Sequence, residues 1–235
     1  MKRFYKLVSS AKETGGWSIQ LDGKPVKTPM KATLLAPNQA LADLIVQEWA
    51  AQEDIIDPET MPITQILSTQ TDQVANQRAE MSVEILKYLD TDLLCYRAGV
   101  EPPGQADAQA QSWNPWLKWF EDKFGEKLKT TTDLVALRHD ESAHKAAREF
   151  AEALDDAHFT VLQMLVPLSG SLVLAMAFTE RAISPQELFD ATHVEEHFKD
   201  KIYNAELYGR DPLQEQKDEV MMRDLKAAEV FLKNL

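Results

Sequence analysis

Cysteine is almost absent: Cys95 stands alone among 235 residues. A lone thiol closes no internal disulfide, which suits a reducing compartment. Cys95 lies between Leu94 and Tyr96 in an apolar run, where a thiol is expected to be buried and inert. Basic charge is scarce as well. Lys and Arg number 25 against 38 Asp and Glu, a formal net charge of −13. Nucleic acid is therefore not an expected partner, because phosphate binding draws on clustered cations. The same balance disfavours anionic membrane surfaces. The sequence has no G-x-G-x-x-G, P-loop or G-x-S-x-G pattern, so no nucleotide cofactor and no elbow serine are expected. Ser169-Gly170-Ser171 opens an apolar helical run, where small residues permit close helix packing.

Long apolar runs are also missing. Only residues 161–178 approach the length of a membrane span, and Gln163, Pro167, Ser169 and Ser171 interrupt them. Pro167-Leu168-Ser169-Gly170 predicts a break between two buried helices instead. The first ten residues, MKRFYKLVSS, hold no apolar core long enough for a secretory signal. The expected location is a bacterial cytoplasm, or the mitochondrial matrix if a presequence has been removed.

What remains is ordinary globular chemistry: 44% hydrophobic and 27% charged residues, enough apolar material for a sizeable core. Residues 3–8 alternate as a first strand. Trp17, Ile19 and Leu21 alternate with Ser18, Gln20 and Asp22, the period of a half-buried strand. Asp22-Gly23 supplies a tight turn. Short runs at 26–28 and 33–35 complete a β-meander, and Pro25 and Pro29 keep them irregular. Residues 39–52 follow as an amphipathic helix. From residue 63 the pattern is helical, with Val83, Ile85, Leu86 and Leu89 in a long periodic run. GVEPPG at 99–104 punctuates it. Trp113, Trp116, Trp119 and Phe120 share one helix face, and Gly125 ends that helix. Further helices are expected over 144–154, over the two halves of 161–178, after the capping box Ser184-Pro185-Gln186-Glu187, and over 213–235. The fold class is therefore α+β: a small amino-terminal β-meander and helix domain, residues 1–60, then a larger all-helical domain, residues 61–235.

Two polar constellations stand out. His193-Val194-Glu195-Glu196-His197 has the H-x-x-E-H spacing that puts two histidines on one helix face beside a Glu base, a zinc-hydrolase pattern. A third ligand would have to come from Glu206 or Asp211. The competing reading is a helix face, with Leu188, Ala191, Val194, Phe198 and Ile202 as its buried stripe and Glu196 turned to water. Asp90, Asp92 and Arg97 suggest a structural ion pair. Trp49 reads as a core aromatic between helix and sheet.

LDGKPVKTP at 21–29 and EWAAQ at 48–52 resemble the amino-terminal signature of the Atp-twelve family, chaperones for assembly of the F(1) head of ATP synthase. MPIT at 61–64, TDLLCYRA at 91–98 and SGSLVLAMA at 169–177 continue the resemblance in the same order. It implies a two-part architecture and a non-enzymatic protein whose partner is the unassembled ATP synthase alpha subunit. Residues 184–198 resemble, without a gap, the family segment whose acidic pair is associated with that client. Glu196 falls on the Glu of the pair, Glu195 on its neighbour, and Trp49 on a further signature position. The chain then departs from the pattern: Tyr203-Asn204 stands where Trp-Gly is expected, and Tyr208-Gly209 resembles it five residues late. The reading carried forward is a chaperone that shields alpha until beta replaces it, with Glu195, Glu196 and Trp49 as partner-binding residues. It needs neither metal nor cofactor, and no membrane insertion. A zinc-dependent hydrolase using His193, His197 and Glu196 is the alternative from another class, and a generic interaction module with a different client is the third.

Overall fold

Asp22 and Gly23 both adopt positive φ, 47° and 79°, the backbone of a two-residue hairpin turn matched to strand twist. The computed structural model describes residues 1–202 and 211–235. The turn joins β2 (Gly16–Leu21) to β3 (Lys24–Pro25), with Leu21 opposite Lys24. On its other side β2 pairs antiparallel with β1 (Val8–Glu13) throughout, and it also pairs with β4 (Leu35–Ala36). Ile19 and Leu21 turn to the core, but Ser18 is fully buried too, so β2 is not the half-solvated strand its alternation predicts.

The first strand begins at Val8, not at residue 3. Lys6 and Leu7 give their N–H groups to the Asp22 carboxylate, Leu7 at 2.8 Å. These bonds replace ladder pairing with side-chain contacts and hold the carboxyl below its usual range. Residues 1–3 pair instead with 54–56. Helix α1 (Gln39–Ala50) is capped by Asn38 and buries Leu41, Ala42, Ile45 and Trp49.

The expected long helix after residue 63 is broken. α2 (Pro62–Thr69) runs into a single π-turn at Gln70–Val74, and α3 (Ala75–Leu86) is kinked at Gln77. Two 3-10 turns then close the segment at Cys95. Val83 is exposed, while Ile85 and Leu89 are buried. α4 (Gln105–Phe124) buries Trp113 and Phe120 fully and leaves Trp116 and Trp119 half-covered. Gly125 ends it at φ 72°.

α5 (Glu141–Ala153) precedes α6 (Asp156–Ser169) and α7 (Leu172–Thr179), in which every residue is buried. Pro167 lies inside α6. The break falls at Gly170, whose φ of 66° ends the helix before Ser171 caps the next through Leu174 N. The capping box at Ser184 opens α8 (Pro185–Thr192) with both reciprocal bonds formed. α9 is Val194–Ile202, and α10 is Pro212–Lys233. Among the described residues no helix is long and apolar enough to cross a membrane.

The chain divides into two compact units. Met1–Arg78, Asp155–Val161 and Lys226–Leu235 form the first; Ala79–Leu154 and Leu162–Leu225 form the second. In the first unit Arg78 pairs with Asp156 and stacks its guanidinium over Phe159. The Asn38 amide donates to Asn234 O at 2.7 Å, tying the end of α10 to the start of α1. In the second unit α4 packs against α7, α8 and α9.

Candidate functional site

The acidic pair sits in the first turn of α9, where exposed backbone N–H groups favour negative side chains. α8 and α9 are separate helices. His193 leaves helical geometry at φ −106°, ψ 14° and ends α8, so the apolar stripe expected through 188–202 is interrupted. Leu188 and Ala191 are buried, Val194 and Phe198 are half-covered, and Ile202 is exposed.

Three contacts hold α8 and α9 against α4 and the residue that opens it. The buried Trp113 indole N–H donates to Ala191 O at 2.7 Å, fixing the last turn of α8. The Phe198 ring lies over Gly104, where an added Cβ would sit 3.5 Å from it. Between them Gln109, fully buried, accepts from Ala98 N at 2.7 Å and donates to Glu195 Oε1 at 2.6 Å. A buried amide needs partners on both its ends. Here one end reads the backbone and the other fixes a carboxylate. Sequence reasoning missed Gln109. Its signal was a polar residue spaced four from the buried Gln105 and four from the buried Trp113.

The two carboxylates thus differ. Glu195 is held from within the unit. Glu196 makes no hydrogen bond or ion pair among the described residues, and it is half-covered rather than turned fully to water. Trp49 belongs to the first unit and lies in its core. Tyr5 packs edge-on to its indole with ring centroids 5.8 Å apart and donates to Trp49 O at 2.7 Å. The indole N–H is buried without a partner.

Among the described residues the H-x-x-E-H spacing does not assemble a metal set. His193 stacks on Phe189 at 4.0 Å, with Nδ1 2.9 Å from Phe189 O and Nε2 3.3 Å from Asp218 Oδ1. Both ring nitrogens are therefore engaged. Asp211 is turned to its own helix start, accepting from Leu213 N, and Glu206 lies outside the described residues, as do Tyr203-Asn204 and Tyr208-Gly209. Among the described residues no three His, Cys, Asp or Glu side chains gather as ligands.

The expected Asp–Arg ion pair is replaced by separate contacts. Asp92 is fully buried and accepts from Leu94 N and Val173 N, each at 3.0 Å. Burial raises its pKa to about 6 against the pull of those bonds. Arg97 lies over Trp113 and donates to Asn114. Asp90 meets His144 at 3.0 Å. Cys95 is fully buried, and burial raises its pKa further from nucleophilic range.

Residues 2–121 match the family model described as ATP12 chaperone protein. The chain belongs to the ATP12 chaperone family. Protein atp12, mitochondrial, of Schizosaccharomyces pombe is 24% identical over 205 residues, covering 83% of this chain and 70% of that protein. The crystal structure of Atp12 from Paracoccus denitrificans superimposes with a TM-score of 0.87 at 32% identity, over 99% of this chain and 97% of the other. The crystal structure of Atu1473 of Agrobacterium tumefaciens, described as a putative chaperone, gives a TM-score of 0.88 at 32% identity, covering 99% of this chain and 85% of the other. The ATP12 family model stops short of α9, whereas both structural likenesses span nearly the whole chain and so include it.

Proposed function

We propose that this ATP12-family chaperone serves ATP synthase assembly by binding the unassembled alpha subunit, preventing its aggregation until beta takes its place. An unassembled subunit exposes an apolar interface that aggregates unless covered. A protein that covers it and then yields needs reversible contact and no bond-making chemistry. The observation that carries the site is the contrast within α9. Glu195 is anchored by Gln109, so the helix turn is fixed, while its neighbour Glu196 is left with an unspent carboxylate.

On this reading Glu196 makes the polar contact with alpha, and Glu195 positions the turn that presents it. Trp49 contributes through the stability of its own unit, since its indole is nearly covered. The test is capture of purified alpha subunit by wild type and by Glu196→Lys. Capture should be lost in the variant while its melting temperature stays within a degree or two of wild type. Normal capture by Glu196→Lys would remove Glu196 from the site. Failure of wild type to retain alpha would remove the client.

A further inference from the structure

Charge is unevenly divided along the chain. Residues 1–37, which build the meander, carry seven Lys and Arg against only Glu13 and Asp22; the remainder carries 36 acids against 18 bases. Both acids of the meander are engaged internally. Glu13 accepts from Ser18 Oγ at 2.5 Å, and Asp22 accepts from the Lys6 and Leu7 backbone. Among the described residues none of the seven cations forms an ion pair. Lys6 and Arg3 lie near enough to the Asp22 carboxylate to help lower its pKa, but the meander still carries a local excess of cations held in no ion pair, in a protein that is acidic elsewhere.

The same region has an open sheet edge. β1 is terminal in the sheet order. Asp22 N donates to Leu7 O, and Ser9 and Ala11 stand opposite Gln20 and Ser18. Antiparallel ladders alternate, so Leu7, Ser9 and Ala11 direct their backbone groups at β2. Val8, Ser10 and Lys12 direct theirs outward. Among the described residues nothing else bonds to those outward groups. The edge is lined by short side chains (Val8 to Ala11), which let another backbone approach. Lys6 and Lys12 stand at its two ends, both exposed, about 20 Å apart at a strand's rise per residue.

We infer that the β1 edge docks an extended, acidic polypeptide segment of a partner, added antiparallel to β1 as a further strand. Its main chain would bond Val8, Ser10 and Lys12, and its carboxylates would lie beside Lys6 and Lys12. Strand addition draws affinity from main-chain bonds and specificity from flanking side chains. A second copy is a poor occupant. Antiparallel pairing of two β1 edges about Ser10 sets each Lys12 diagonal to the other copy's Lys6, and like charges at that spacing repel. This surface belongs to the first unit and does not draw on the α9 reading.

The probe is an end-capped decapeptide of alternating Glu and Val, titrated into the full chain while amide exchange is followed by NMR. The expected result is slowed exchange at Val8, Ser10 and Lys12, with affinity that falls as salt rises. The Lys/Val counterpart should not bind. Lys6→Glu/Lys12→Glu, with an unchanged circular dichroism spectrum, should weaken the Glu/Val peptide by roughly tenfold or more. The inference is overturned if the Glu/Val peptide leaves those amides unprotected. It is equally overturned if the charge-reversed protein binds that peptide as well as wild type, if phosphatidylserine vesicles protect the edge and the peptide does not, or if the edge is already protected by self-association without peptide.

Discussion

Gln109 and Glu195, 86 residues apart in the chain, meet at 2.6 Å inside the second unit. Because Gln109 is also bound to Ala98 N, one buried amide connects the segment before α4 to the first turn of α9. Replacing it with Leu would leave that N–H and the Glu195 carboxylate without their partner. Loss of a buried hydrogen-bond partner costs about 1–3 kcal/mol per group. Because Glu195 is half-covered and can turn to water, Gln109→Leu should lower stability by about 2–4 kcal/mol rather than twice the full range. Urea denaturation measures it. Alpha-subunit capture should weaken at temperatures where the variant is still folded, because the α9 turn is no longer held.

Asp92 gives a pH signature. Its pKa is raised by burial to about 6 in the folded chain, from 3.8, so between these values the folded state binds the extra proton. Stability therefore rises as pH falls through 6 toward 4, and this group's contribution is lost as pH climbs about a unit above 6. A shift of that size corresponds to a contribution on the order of 3 kcal/mol. Asp92→Asn should remove this slope. The check is the difference in melting temperature between wild type and variant across pH 4 to 7: a constant offset would refute the assignment.

Trp49 separates packing from binding. Trp49→Ala should cost about 3–5 kcal/mol, the usual range for a buried aromatic. Trp49→Phe should cost much less, because the indole N–H that it removes bonds to nothing. If capture of alpha follows stability in both variants, Trp49 acts through the core. A fully stable Trp49→Phe protein that no longer captures alpha would place Trp49 at the contact.

Glu48 is a helix cap supplied from another helix. Its carboxylate accepts from Ile63 N at 2.7 Å, from Thr64 N at 2.8 Å and from the Thr64 hydroxyl at 2.7 Å. Burial raises its pKa despite those bonds. Glu48→Ala strips the first turn of α2 of its acceptor and should destabilise the protein by about 2 kcal/mol, read from chemical denaturation. Glu48→Gln, which keeps one acceptor oxygen, should fall between the two.

Much of the local structure was legible in the residues. The Asp22-Gly23 turn, the Ser184 start and the Gly125 stop each depend on a few neighbouring residues. Their backbone needs are met, or not, within one turn of chain. The shared face of Trp113, Trp116, Trp119 and Phe120 was legible for the same reason, but which two of them are fully buried was not. The start of β1 was not, because alternation at 3–8 says nothing about Asp22, whose carboxylate takes the amides of Lys6 and Leu7. The break between α8 and α9 was also hidden. The stripe from Leu188 to Ile202 is periodic, but the His193 ring is held by Phe189 and Asp218, and Asp218 is distant in sequence.

By itself the sequence determined the α+β class, the family and the segment bearing the acidic pair, since composition, period and motif order survive without coordinates. Only the tertiary structure decided that Glu195 is anchored while Glu196 is not, that Asp92 is sealed among backbone amides, and that residues 155–161 and 226–235 belong with the first unit. Those outcomes turn on hydrogen bonds and burial between residues far apart in the chain. Water competes for every such group until packing excludes it, and which groups end up excluded is a property of the whole fold.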